Sequence, residues 1–114
     1  MDTQLTHAIS LHRAGRLAEA EAIYRGLLAR EPEHAEALHL LGLIACQAGR
    51  LDESVALISR AVARNPDNAE FHINLGEVQR RMGQLPGAIG TFRRAVQLAP
   101  HNAFAHYNLA VAQA

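Results

Sequence analysis

Few side chains in this sequence combine the types and spacing that chemistry requires. Asn74 and Asn108 stand 34 residues apart. A primary amide carries both a donor and an acceptor, so a row of amides can grip an extended peptide backbone whatever its side chains; two merely solvated asparagines would have the same spacing. Seven histidines raise the question of a metal. No close i, i+4 histidine pair with a carboxylate shares one face, however, so no metal site and no cofactor is expected. Cys46 is the only cysteine. It has no His–Asp arrangement to act as its base, and it reads as a small core side chain. With no phosphate loop, no nucleophile beside a base and no paired carboxylates in a cleft, the chain is not expected to be an enzyme. Arg13, Arg80 and Arg81 are the cations that could converge on a carboxylate, but offsetting the charge of helix C-termini accounts for them nearly as well.

The elements that must position these groups can be read from the whole chain. It has 114 residues, 49% of them apolar, which is enough to bury a single-domain core. Eleven acids balance eleven basic residues, all of the latter arginine, so no basic excess is present to hold a phosphate backbone, and nucleic acid is not an expected partner. One cysteine cannot form an internal disulfide. Residues 1–15 lack the apolar run of a signal peptide, and no stretch approaches the ~20 apolar residues of a membrane helix. A cytoplasmic protein without membrane contact is therefore expected.

A period of 34 emerges when Pro32, Pro66 and Pro100 are aligned. Gly15, Gly49 and Gly83 then share one slot, Ala20, Ser54 and Ala88 another, Tyr24, Ile58 and Phe92 a third, and Leu27, Ala61 and Ala95 a fourth. A further column reads Ala8, Gly42, Gly76 and Ala110, preceded by His7, Leu41, Leu75 and Leu109. Within a repeat, slots four, seven, eight and eleven fall on one face of a first helix, and slots twenty, twenty-four and twenty-seven on one face of a second. Small residues at slots eight and twenty let the two helices approach closely, and the bulky slot twenty-four fills the space beside them. Glycine at slot fifteen ends the first helix and proline at slot thirty-two stops the second. Helices are expected over residues 2–14, 18–31, 36–48, 52–64, 70–82, 86–98 and 104–114. Pro86 suits a first turn, and Gly87 and Gly90 are expected to mark close packing against a neighbour.

These columns resemble the tetratricopeptide repeat family over essentially the whole chain, most specifically at His72–Gly76 (HINLG), continued by Ala88, Phe92, Ala95 and Pro100. The wording of the units, including His106–Ala110 (HYNLA), looks most like the superhelical repeats that precede the catalytic part of O-linked N-acetylglucosamine transferases and related bacterial proteins. The resemblance implies an all-α, right-handed solenoid of antiparallel helix pairs. It would be one domain over 1–114, with repeats 1–34, 35–68, 69–102 and a partial repeat 103–114. Gln4 and His7 stand where large apolar residues are usual, as suits a terminal unit whose outer face meets water.

Slots two, six, nine and thirteen are turned roughly 200° from the packing face and are free for a partner. They present Glu36, Leu40, Leu43 and Gln47 in the second unit, Glu70, Asn74, Glu77 and Arg81 in the third, and Phe104, Asn108 and Val111 in the fourth. Slot five, holding Leu5, His39, Ile73 and Tyr107, flanks them. A concave peptide groove is therefore expected at Leu5, Ile9, His39, Leu40, Leu43, Ile73, Asn74, Glu77, Arg81, Tyr107, Asn108 and Val111. In the transferase-like relatives an asparagine ladder occupies slot six, a role the resemblance carries to Asn74 and Asn108; Thr6 and Leu40 interrupt it.

Through Glu77 the chain has seven arginines against eleven acids, and beyond it four arginines and no acid. The sequence stops within a first helix. Both features fit either a longer parent chain or self-association through that end. A protein- or peptide-binding scaffold is the leading expectation. A substrate-docking segment of a larger glycosyltransferase-like enzyme and a self-assembling module are the alternatives.

Overall fold

In the computed structural model, which describes residues 3–114, seven α-helices and no strand appear among the described residues. They are α1 (Thr3–Arg13), α2 (Leu17–Arg30), α3 (Ala35–Gln47), α4 (Leu51–Arg64), α5 (Ala69–Arg81), α6 (Leu85–Leu98) and α7 (Ala103–Gln113). The expected start of the first helix at residue 2 lies outside the described residues; every other helix end falls within one residue of its expected place.

Two kinds of stop alternate along the chain. After α1, α3 and α5 the backbone turns through Gly15, Gly49 and Gly83 at φ of 81°, 80° and 79°, a region that a Cβ disfavours. The next residue donates to the carbonyl five positions back, as Arg50 N–H does to Ala45 O at 2.8 Å, so the last carbonyls of the helix are satisfied. The ends of α2, α4 and α6 are different. Glu31, Asn65 and Ala99 sit at φ of −132°, −128° and −136°, held out of the helical region by the proline that follows each. His34, Asn68 and Asn102 then cap the next helix, their side chains accepting from the N–H of Ala37, Phe71 and Ala105. His72 and His106 reach back to the carbonyls of Pro66 and Pro100 at 2.8 and 2.7 Å. These slot-four histidines thus tie the start of a helix to the preceding turn.

Within each pair the expected packing face is buried. Leu38, Leu41, Gly42 and Ala45 of α3 meet Ser54, Ile58 and Ala61 of α4. A Cβ on Gly42 would lie 2.5 Å from Ile58 Cγ1, and one on Gly76 would lie 2.5 Å from the Phe92 ring. The buried Ser54 hydroxyl donates to Gly42 O at 2.7 Å, which explains the serine in a column otherwise filled by alanine. Gly87 and Gly90 correct the expectation of close packing. A Cβ on Gly87 would meet only the Gln79 amide, at 3.5 Å or more, and nothing lies within 4 Å of one on Gly90. Both fall off the Ala88–Phe92–Ala95 stripe of α6 and are exposed.

A second packing face runs through slots three and ten: Ala37 and Ile44, Phe71 and Val78, Ala105 and Ala112 are all buried. Through it each odd helix packs against the even helix before it, which converts separate pairs into a continuous stack. Along one side α3 approaches α5 and α5 approaches α7, with no comparable approach between α4 and its even neighbours. The stack therefore curves toward its odd helices. On the opposite side, long ion pairs span the gap between repeats, Arg25 to Glu53 at 2.8 Å and Arg50 to Glu21 at 2.9 Å.

Candidate functional site

The inner surface holds two depressions that share Glu70. One, of about 380 Å³, lies between α5 and α7 and is lined by Glu70, Ile73, Asn74, Glu77, Asn102, Phe104 and Asn108. The other, about 250 Å³, lies where α1, α3 and α5 meet and is lined by Ile9, His12, Arg13, Glu36, Leu40 and Glu70. Six of the sequence-predicted residues thus line one depression or the other: Ile9, Leu40, Ile73, Asn74, Glu77 and Asn108. Leu5 and Leu43 are half-buried and pack against the core instead. Tyr107 and Val111 project from α7, 67% and 41% exposed, with Phe104 at 73% beside them.

His39 corrects the sequence reading. Slot five was expected to flank an open groove, but His39 is fully buried, with its ring 4.5 Å from that of Phe71. The cause is the slot-three packing face: the Phe71 side chain of the following repeat lies over it. Its Nε2 stands 2.8 Å from Asn74 Nδ2, so the amide donates and the imidazole accepts. The Nδ1 atom has no partner. Burial pulls the imidazole pKa down to about 4, so the ring is neutral at ordinary pH. Arg81 also differs from expectation: it reaches the Cys46 carbonyl and sulfur, at 3.4 and 2.8 Å. Arg80 is held by Glu77 at 2.6 Å. These two cations therefore serve their neighbours and do not converge with Arg13 as a carboxylate clamp.

The inner carboxylates are less satisfied. Neither Glu36 nor Glu70 forms an ion pair with another described residue. Burial, reinforced by the charge of Glu70, raises the pKa of Glu36 above the ordinary carboxylate value against a smaller opposing pull from His34. The resulting surface offers amides, carboxylates and apolar walls. Among the described residues no three His, Cys, Asp or Glu side chains gather as a metal site, and no helix is long and apolar enough to cross a membrane. Asn102 and His12 line the depressions without having been foreseen. The recurrence of His34, Asn68 and Asn102 just before each odd helix is the capping signal that locates Asn102; His12 reaches the surface through contacts with Tyr24 and Gln47, both at 3.3 Å, which no local pattern discloses.

Known proteins share this architecture. The chain superposes on a mutant of the Thermobaculum terrenum O-GlcNAc transferase with a TM-score of 0.91 and 37% identity, over 96% of this chain and 21% of that one. It superposes on MamA from Desulfovibrio magneticus RS-1 with a TM-score of 0.89 and 22% identity, over 96% of this chain and 62% of that one. The first tetratricopeptide domain of Spaghetti, bound to the HSP90 peptide SRMEEVD, gives a TM-score of 0.91 at 16% identity, over 96% and 87% of the two chains. The chain thus spans about a fifth of the transferase and under two thirds of MamA, and the two likenesses below 25% identity speak for the fold alone. A search among curated proteins gave no significant match. The tetratricopeptide repeat model matches at residues 5–69, 47–103 and 73–114. With that match across paired helices, glycine turns and proline stops, the chain belongs to the tetratricopeptide repeat family.

Proposed function

We propose that this chain is a non-catalytic scaffold that holds an extended segment of another polypeptide against its inner surface. Tetratricopeptide repeats form concave interaction surfaces, and the observation that carries the reading is the depression between α5 and α7. There two amides one repeat apart, Asn74 and Asn108, accompany the apolar Ile73 and Phe104. The amides hold the guest backbone, while Ile9, Leu40, Ile73 and Tyr107 take its side chains. Panning a displayed random-peptide library on the protein, then titrating the selected peptides by fluorescence anisotropy, tests it. Asn74→Ala combined with Asn108→Ala and Tyr107→Ala is expected to weaken binding by ~10-fold or more, since each lost hydrogen bond costs about 1 kcal/mol. Equal affinity for the triple variant would remove the groove from the account.

The 37% identity to a transferase favours a second reading, in which the segment docks substrates for a glycosyltransferase-like catalytic domain elsewhere in a longer protein. The reading frame beyond residue 114 decides it. A third reading, self-association through α7, is supported by the exposed Phe104, Tyr107 and Val111. Light scattering that finds only monomer across a wide concentration range would sink it.

A further inference from the structure

Asn74 and Asn108 occupy the same slot, yet they are supported differently. Behind Asn74 stands His39 of the preceding repeat, whose Nε2 is 2.8 Å from the Asn74 amide nitrogen. The corresponding slot-five residue behind Asn108 is Ile73, which has no polar atom, and Asn108 makes no hydrogen bond within the described residues. A free amide can exchange its oxygen and nitrogen by a half-turn, and it then pairs equally well with a peptide strand running either way. Reversing a strand swaps the positions of its N–H and C=O groups, so an amide that cannot turn accepts only one direction. His39 is fully buried, and among the described residues Asn74 is its only polar contact. A neutral ring protonated at Nδ1 leaves Nε2 as an acceptor, and only the NH₂ side of the amide can face it.

We propose that His39 is a positioning residue that fixes the orientation of the Asn74 amide and thereby sets the direction in which an extended guest runs along the groove. The inference rests on the reading of Asn74 as a guest-holding amide. With one N–H given to His39, Asn74 keeps Oδ1 for a guest N–H and its second N–H for a guest C=O. Asn108, free to turn, follows the direction that Asn74 imposes. His39 touches no guest; it acts through Asn74.

Nitrogen NMR on the unmodified protein tests the first step without any guest. The expected result is a single His39 tautomer carrying its proton on Nδ1, with the Asn74 side-chain amide rigid and protected from exchange and that of Asn108 mobile. A proton on Nε2, or equal mobility of the two amides, overturns the proposal and leaves the groove reading standing. The second step uses peptides selected by panning, spin-labelled at one end or the other. On the native protein each label is expected to broaden resonances near only one of α3 and α7. His39→Phe, which keeps a ring beside Phe71, is expected to let both labels broaden both ends. His39→Gln, whose own amide can turn to offer either a donor or an acceptor, is expected to keep a polar contact with Asn74 but to lose the single direction. A single direction retained in His39→Phe overturns the proposal. If His39→Phe does not fold, the native tautomer and the His39→Gln direction still decide it.

Discussion

On the outer side of the stack Glu21 lies between Arg25 and Arg50, at 2.8 and 2.9 Å, and Glu53 closes the group. On the inner side Glu36 and Glu70 face a depression, and no cation among the described residues pairs with either one. The arginine hydrogen bonds hold the Glu21 carboxyl below its ordinary pKa, whereas burial and Glu70 hold Glu36 above it. The same residue type is thus settled on one wall and unsatisfied on the other. Outer charges tie neighbouring repeats together, whereas Glu36 and Glu70 make no ion pair among the described residues.

The comparison can be broken or sharpened by substitution. The largest effect is expected at the packing face beneath both walls. Phe71→Ala should lower unfolding free energy in urea by about 3–5 kcal/mol, since it opens a cavity and uncovers His39. Loss of less than about 1 kcal/mol would mean that the repeats stack by something other than this face.

Acidification comes next. The folded chain keeps His39 neutral to about pH 4, while an unfolded chain protonates it near 6.5, so the unfolded state binds more protons in between. Stability is therefore expected to fall as pH drops from about 6.5 toward 4, by up to roughly 3 kcal/mol. His39→Gln should flatten that slope. The Glu21 carboxyl, with its depressed pKa, adds a further loss only below about pH 4.5.

The smallest effects separate the walls most directly because they have opposite signs. Glu21→Gln should destabilise by up to about 1 kcal/mol, less at high salt. Glu36→Gln should stabilise by a few tenths of a kcal/mol at neutral pH, because it removes a charge that burial and Glu70 both oppose. Thermal melts of the two variants, run side by side, check the contrast. Equal destabilisation would end the distinction between the walls.

Much of the fold was legible because it is local. A glycine that must adopt positive φ and a proline that displaces the residue before it act within one turn, so their columns located nearly every helix end. The face pairing Gly42 with Ile58 and Gly76 with Phe92 was likewise readable from 3.6-residue periodicity. Slots three and ten were not. They pack between repeats, and small residues such as Ala37 and Ala105 give little hydrophobic signal of their own. The candidate site was legible where side chains leave an odd helix inward, as at Asn74 and Asn108, and misread where the next repeat covers the slot, as at His39.

The sequence by itself determined the length of the repeat, the order of helices and stops, and which side chains point away from each pair, since all of these follow from periodicity and backbone preference along a single strand of chain. Tertiary structure alone decided that His39 goes under Phe71 and holds Asn74, that Arg81 is drawn to Cys46, and that Glu36 and Glu70 meet no ion-pair partner among the described residues. Those outcomes depend on the angle and distance between successive repeats, which are set by contacts among residues about 34 positions apart.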